Sequence, residues 1–473
     1  MSITARLRDA GRNPATPLSV PVEGEELRVD QWLRILPGKR LVGRGEWRGQ
    51  PVLAKLFIAT GAERHWQREC NGIQALQRAG LATPDLLASG ELPGGGYYLF
   101  TEFLSGSQSL QQCWDQLPDA AVDSAAAGAI LQQALQLIAA MHSQGLAQTD
   151  MHLGNFLRYG QQLYVIDGDA IEAVEPGKPL PRNAVEANLA LFFAQLDPEW
   201  NKQIDSLLQS YLEVNPLLTL GGEHLYTAVQ AERQKRLDDF LRKTLRDCTQ
   251  FAVTKTFQRY SVVVRSEAEA LAPLLNDPDS LFTGTPLLKD GGSSTVTRAT
   301  VGGRDVVIKR YNIKGFGHWL KRFWRPSRAW HSWLAGWRLR FLGIATPQPL
   351  AMIERRIGPW RREAWLVTEY CPGENLFEHL GESGMNIPDP QTANALLRTF
   401  HQLAEAHTSH GDFKATNLLW HQGQVVLIDL DAMQHQRSRQ GGTEVQAKDR
   451  MRFIRNWPEG SPLHCWLTER LPK

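Results

Sequence analysis

Hydrophobic and polar positions along the chain run twice through the same plan. In the first round, WLRILPGKRLVGRGEWRGQPVLAKLF reads as three short strands joined by turns at Pro37-Gly38 and Arg48-Gly49, the last strand carrying Lys55. The period then becomes helical in GAERHWQRECNGIQALQRAG, where Trp66, Ile73 and Leu76 mark the apolar face, Gly80 the end, and Glu69 lies within. A strand pair, PDLLASGELPGGGYYLFTEFL, and an Ala- and Leu-rich helix, VDSAAAGAILQQALQLIAAMH, lead into a polar stretch from Met141 to Asp167. From Ala184 to about Leu274 the pattern is helical again, without a second polar constellation, and predicts a helical lobe closing a first domain over 29–275. Residues 1–28 are polar, broken by Gly and Pro, and predict a flexible lead-in.

The second round follows NDPDSLFTGTP, residues 276–286, whose Pro, Gly and Asp content predicts a linker. LLKDGGSSTVTRATVGGRDVVIKRY repeats the three strands: aligning Lys55 with Lys309 puts Gly38 on Gly292 and Gly49 on Gly303. IATPQPLA answers LATPDLLA, and LVTEYC answers LFTEFL. The expectation is a tandem duplication, with a second domain over 287–473 whose helical lobe is short, because only 44 residues follow Asp429.

Composition narrows the class of protein without naming a chemistry. The 473 residues suffice for two or three self-supporting domains. A net charge of +2 excludes a globally electrostatic nucleic-acid binder. Five Cys follow no zinc or disulfide spacing, so reduced thiols in a cytosolic compartment are expected. The N-terminal stretch has no apolar signal region, and no apolar run approaches the ~20 residues that span a bilayer.

The polar stretches carry the chemistry. Asp150, Asn155 and Asp167 have a spacing that suits phosphoryl transfer from a magnesium nucleotide: a base for a hydroxyl, an amide oxygen for the metal, and a carboxylate for the metal that bridges phosphates. Asp412, Asn417 and Asp429 repeat that spacing. Lys55 and Lys309 end comparable strands and are candidates for the nucleotide phosphates, with Glu69 placed to hold Lys55. The repeat also moves the phosphate-facing turn away from Gly43–Gly45 to Gly38, and in the second round to Gly291 and Gly292. Singly, Lys55 reads as a solvated strand residue and Asp150 as a turn cap; together they read as a site. Asp169 and Asp431, two positions after each metal-binding Asp, fit magnesium support or a turn cap equally well, and His142 and His407 read as packed helix-end residues.

With these motifs the chain resembles the protein-kinase-like superfamily and, within it, the bacterial lipopolysaccharide core kinases of heptose or Kdo sugars. HGDFKATNLL with IDLDAM is similar to core-sugar and aminoglycoside kinases, since Leu-Asp follows the metal Asp where protein kinases have Phe-Gly. The resemblance implies an α+β fold of two tandem bilobal kinase-like domains, ATP and magnesium as cofactors, and a lipopolysaccharide core glycolipid as partner, with no nucleic acid. It implies catalytic Asp150, Asp412 and Lys414, metal-binding Asn155, Asp167, Asn417 and Asp429, and nucleotide contacts from Gly38, Lys55, Glu69, Gly291, Gly292 and Lys309. The copies depart from the pattern differently: Gln148 replaces the usual His and His152 the usual Lys in the first, while Ser332 stands opposite Glu69 in the second. A small-molecule kinase, a protein kinase and a pseudokinase scaffold are the competing readings.

A last stretch stands apart. KGFGHWLKRFWRPSRAWHSWLAGWRLRFLG, residues 314–343, holds five Trp and seven Lys or Arg without an acid. It predicts either a peripheral dock on the inner-membrane surface or a packing element with solvated cations.

Overall fold

The computed structural model describes residues 2–117, 122, 124–216, 220–282, 287–312, 325–436 and 439–472. Its contacts divide the chain into two units, Met1–Gln234 and Lys235–Lys473.

In the first unit the sheet order is β1-β2-β3-β4-β6-β5, from β1 (Leu18–Val22), β2 (Glu25–Leu36), β3 (Arg40–Trp47), β4 (Gln50–Phe57), β5 (Leu86–Glu91) and β6 (Tyr97–Glu102). Every pairing in it is antiparallel. The residues expected to be a flexible lead-in are structured: α1 (Ile3–Asp9) and β1 bury Leu7, Val20, Val22 and Leu27 in the sheet's core. Pro and Gly mark turns there without preventing strand pairing, and Val20 and Val22 alternate inward as a half-buried strand requires. Helix α2 (Glu63–Arg78) follows β4 as predicted. The helical region then packs α3 (Ala125–Ser143), α4 (Arg182–Phe193) and α5 (Ile204–Val214) around a core of Leu131, Leu135, Ile138, Leu189, Phe192 and Tyr211. Helix α6 (Gly222–Lys243) spans the division between the units.

The second unit begins earlier than the sequence pattern indicates. FAVTK and RYSVVV, swept into the helical stretch by their flanks, form the hairpin β7 (Phe251–Lys255) and β8 (Arg259–Val264). Their β-branched residues pair into a sheet of order β7-β8-β12-β13-β11-β10-β9, completed by β9 (Leu287–Gly291), β10 (Ser294–Val301), β11 (Arg304–Tyr311), β12 (Pro349–Ile357) and β13 (Trp360–Glu369). The expected boundary at 275/276 is therefore replaced by one at Gln234/Lys235. Asp279, inside the stretch expected to be a linker, instead accepts a hydrogen bond from Trp365 Nε1 of this sheet at 3.2 Å; residues 283–286 lie outside the described residues. Helix α7 (Arg328–Phe341) holds the position of α2, and α8 (Pro390–Glu405), α9 (Arg439–Ile454) and α10 (Pro462–Arg470) form the helical region around Phe400, Phe413, Phe453 and Trp457. After Asp429, the described residues hold α9 and α10, where the first unit has α4, α5 and α6 after Asp167.

Among the described residues of the Trp-rich segment, the tryptophans pack inward. On α7, Trp333 and Trp337 are buried against Phe251, and Trp330 packs on Tyr260. A membrane dock made by these three side chains is excluded by their packing within the second unit; Trp319 and Trp324 fall outside the described residues.

Candidate active sites

Each unit brings its strand lysine, its polar loop and the last Asp of its motif, Asp167 or Asp429, together, with different wiring. In the first, Lys55 at the inner end of β4 donates to Glu69 Oε1 on α2. The same Oε1 accepts the Gly168 N–H at 3.1 Å, so one buried carboxylate joins strand, helix and metal loop. Lys55 Nζ lies 3.7 Å from Asp167 Oδ1. The helix reaches the loop because two glycines permit it: a Cβ on Gly72 would stand 2.0 Å from the Gly168 carbonyl oxygen, and one on Gly168 would stand 2.4 Å from that of Glu69. Asp169 faces Arg68 Nε at 3.3 Å, His65 Nδ1 at 3.5 Å and Arg40 Nη1 at 3.7 Å, with Arg40 also 3.8 Å from Glu69 Oε2. It supports the helix side of the site.

In the second unit Ser332 has no carboxylate to offer, and Asp431 takes over. Lys309 Nζ donates to Asp431 Oδ2 at 2.8 Å and also to Asp429. Asp431 further accepts from Tyr311 OH at 2.6 Å, from Ser332 Oγ at 2.7 Å and from Arg328 Nη2. Burial works to raise the Asp431 carboxyl's pKa, but Lys309, Tyr311 and Arg328 outweigh it and hold the group below the usual carboxylate range. The same burial and the Asp431 charge push the Tyr311 phenol well up. Leu430, in the place of Gly168, has a side chain between loop and helix, 3.7 Å from where a Cβ on Gly336 would lie.

The loops around the bases match more closely. Asn155 Nδ2 donates to the Asp150 carbonyl at 2.7 Å, and Asn417 Nδ2 to the Asp412 carbonyl at 2.9 Å. With its nitrogen so engaged, each amide has its side-chain oxygen as the atom that could meet a cation. Asp167 and Asp429 both adopt left-handed backbone, with φ of +68° and +59°, a conformation that costs roughly 1–3 kcal/mol outside glycine and is typical of functional turns. Gln148 compensates for the missing His: its Nε2 donates to the Ile166 carbonyl at 2.9 Å, as His410 Nε2 does to Ile428 at 2.8 Å.

The bases differ in company. The Asp150 side chain is 70% exposed with His152 Nε2 at 3.9 Å, whereas that of Asp412 is 34% exposed, with Arg452 Nη1 at 3.1 Å and Lys414 Nζ at 3.3 Å. Beneath them, Asp449 of α9 accepts the His410 N–H at 2.6 Å and the Gly411 N–H at 3.0 Å. The first unit uses Asn188, which bonds the Gln148 backbone through both amide atoms and meets His142 Nε2 at 2.9 Å, with Tyr211 OH 3.0 Å from Nδ1. Burial lowers His142 to about 4, so the ring is neutral and packed, as its helix-end position predicts. Burial raises Asp449 against the hydrogen bonds it accepts from Ser409, His410 and Gly411.

The glycines expected to face phosphate lie at strand ends or in the turns after them. Gly38, φ +66°, sits between β2 and β3, and Gly291 ends β9 with Gly292 in the turn to β10; a Cβ on Gly38 or Gly292 would meet nothing within 4 Å. Sequence reasoning did not find the roles of Arg40, Tyr311, Arg328, Arg452, Asn188 and Asp449. The signal for Asp431 was present in Ser332, since a strand lysine without its helix carboxylate requires another partner.

A family model described as the lipopolysaccharide kinase (Kdo/WaaP) family matches residues 53–190 and 297–457, a segment in each unit. No curated protein matches the chain in sequence. Solved structures similar to it include WaaP in complex with acyl carrier protein (20% identity, 43% of this chain and 88% of that one, TM-score 0.31). Others are vaccinia related kinase 3 (12%, 49% and 96%, 0.30) and the Mycobacterium tuberculosis PknI kinase domain (15%, 46% and 98%, 0.29).

Proposed function

The chain belongs to the lipopolysaccharide kinase (Kdo/WaaP) family, and from that premise we propose that it transfers phosphate from ATP, with magnesium, to a hydroxyl of a heptose or Kdo sugar in the lipopolysaccharide core. The acceptor would be met at the cytoplasmic face of the inner membrane; no helix among the described residues is long and apolar enough to cross one.

The donor atoms fit the metal. Among the described residues no three His, Cys, Asp or Glu side chains cluster as a metal cage. An amide and a carboxylate in each unit, Asn155 with Asp167 and Asn417 with Asp429, are instead what magnesium takes when phosphates and water fill its other positions. When bound, the metal neutralises charge on the transferring phosphates. Lys55 and Lys309 would hold the nucleotide phosphates, each kept extended by its carboxylate partner. Asp150 and Asp412 would orient the acceptor hydroxyl and take its proton, and Lys414 would steady the charge around Asp412.

The observation that carries this reading is that two loops of different sequence form the same Asp–Asn bond and the same left-handed metal-binding Asp. In cells carrying Asp150→Ala with Asp412→Ala, mass spectrometry of the core glycolipid should show one phosphate missing, with transfer in vitro down ~10²–10⁴-fold. Unchanged phosphate would reject the assignment. A second reading has its own support: Lys309 donates directly to the metal carboxylate Asp429, which favours a non-catalytic second unit. Then Asp412→Ala alone should leave transfer intact while Asp150→Ala abolishes it.

A further inference from the structure

The sheet of the second unit ends in a surface that the first unit lacks. Two turns lie side by side there, Thr256-Phe257-Gln258 between β7 and β8, and Gly358-Pro359 between β12 and β13. The Gly358 N–H donates to the Phe257 carbonyl and the Arg356 N–H to that of Gln258, each at 2.8 Å. A Cβ on Gly358 would stand 3.1 Å from the Phe257 ring, so ring and turn are in contact. Phe257, Ile357 and Trp360 are 70%, 40% and 47% exposed.

Around this apolar tip the charge is one-sided. Lys255, Arg259, Arg355, Arg356, Arg361 and Arg362 lie on the two hairpins' ends. The facing carboxylates are Glu354, buried beside Arg356 and Arg361; Asp279, 2.9 Å from Arg355; and Glu363, 3.9 Å from Arg362. Arg259 pairs across the strands with Arg355, two like charges opposite one another, and two of its buried guanidinium nitrogens have no hydrogen-bond partner. In the first unit the turn from β5 to β6 runs through Leu92-Pro93-Gly94-Gly95-Gly96; Leu92 is buried and Thr4 Oγ1 donates to the Gly95 carbonyl at 2.5 Å. A kinase-like sheet has no need of the aromatic, basic tip.

We propose that this double turn docks the second unit on an anionic lipid surface, with Phe257, Ile357 and Trp360 entering the headgroup boundary and the exposed Lys255, Arg355 and Arg362 meeting lipid phosphates. Aromatic side chains combined with excess cations suit an interface that is apolar below and negative above. The turns project from the end of the sheet, which suits a deformable surface better than a shaped protein partner. The inference rests on the proposed function only in supplying a reason for the site to be at a membrane.

Flotation of the full chain with phosphatidylethanolamine–phosphatidylglycerol vesicles tests it, with phosphatidylcholine vesicles as the neutral control. The chain should float with the anionic vesicles and lose this at high salt. Phe257→Ser with Trp360→Ser, and separately Lys255→Gln with Arg362→Gln, should each reduce flotation roughly tenfold. If the aromatic pair fails to fold, the Lys–Arg pair carries the test. Flotation equal to the unaltered chain in the folded variants, or equal recovery on neutral vesicles, overturns the proposal. Phosphate transfer to delipidated core oligosaccharide in solution separates the two hypotheses: it should be unchanged in both variants, and its absence from the unaltered chain would remove the proposed function while leaving docking intact.

Discussion

The two units solve one electrostatic problem with carboxylates from different places. A largely buried strand lysine needs a negative partner. In the first unit Glu69 comes from α2, and Gly72 and Gly168 let helix and loop backbones meet. In the second, Leu430 stands where Gly168 does and Ser332 where Glu69 does, so the partner comes from the loop itself as Asp431. The first anchor is carried by a helix and the second by the loop, two residues after Asp429. The second arrangement also brings Lys309 onto Asp429, so a metal in the second unit would have to compete with an internal cation.

The comparison breaks most visibly at Asp431. Asp431→Ala leaves Lys309, Arg328 and Tyr311 around an empty position, and removing one partner of a buried ion pair costs roughly 3–5 kcal/mol. Urea unfolding followed by peptide-resolved hydrogen exchange should show that loss in the second unit with the first unchanged. Glu69→Ala should cost less, because Asp431 holds Tyr311, Ser332 and Arg328 besides its lysine, whereas Glu69 holds only the Gly168 N–H and a distant Arg40 besides Lys55. Equal losses would show that the anchors are equivalent.

Acid provides the next contrast. His142 takes up a proton at about 6.5 when unfolded and only near 4 when folded, so its contribution to the first unit is full above 6.5 and is lost as pH falls toward 4. That amounts to roughly 3 kcal/mol. Asp449 behaves with the opposite sign: its raised pKa means a contribution present below the ordinary carboxylate range and lost as pH rises through the folded value. Thermal unfolding between pH 7 and 4.5 should therefore show the first unit weakening, and His142→Gln should flatten that slope; an unchanged slope would contradict the buried neutral ring.

The smallest expected effect sharpens the likeness between the units. Gln148 Oε1 is buried without a hydrogen-bond partner, whereas His410 Nδ1 accepts the Asp412 N–H at 3.4 Å. Gln148→His should keep the bond to Ile166, gain an acceptor for the Asp150 N–H, and stabilise the first unit by up to about 1 kcal/mol, read from the urea midpoint. A destabilised variant would show that the two loops are less alike than their hydrogen bonds indicate.

Much of this was legible in the chain itself. Three alternating strands ending in Lys55 and Lys309, the helical period around Glu69, and the Asp–Asn–Asp spacing are local patterns, set by the two-residue and 3.6-residue repeats of strands and helices. The β7–β8 hairpin is hidden in the sequence because its short strands, five and six residues, lie between longer helical patterns, and its role as a sheet edge depends on pairing with β12, far along the chain. The Trp-rich helix was ambiguous for the same kind of reason: amphipathicity shows that an apolar face exists, and only Phe251 and Tyr260, brought in by that hairpin, show what covers it.

By itself the sequence determined that the chain holds two copies of a phosphate-handling motif and which residue types each copy possesses or lacks. Tertiary structure decided how each deficit is met: Gln148 by the bond a His would make, Ser332 by Asp431, and the packing of α7 by a hairpin counted with the wrong unit. The physical reason is range. Backbone periodicity and turn chemistry act over a few residues and can be read along the chain, whereas the partner of a buried charge is whichever group the fold brings within about 3 Å, as loop-borne Asp431 is brought to a lysine on a distant strand.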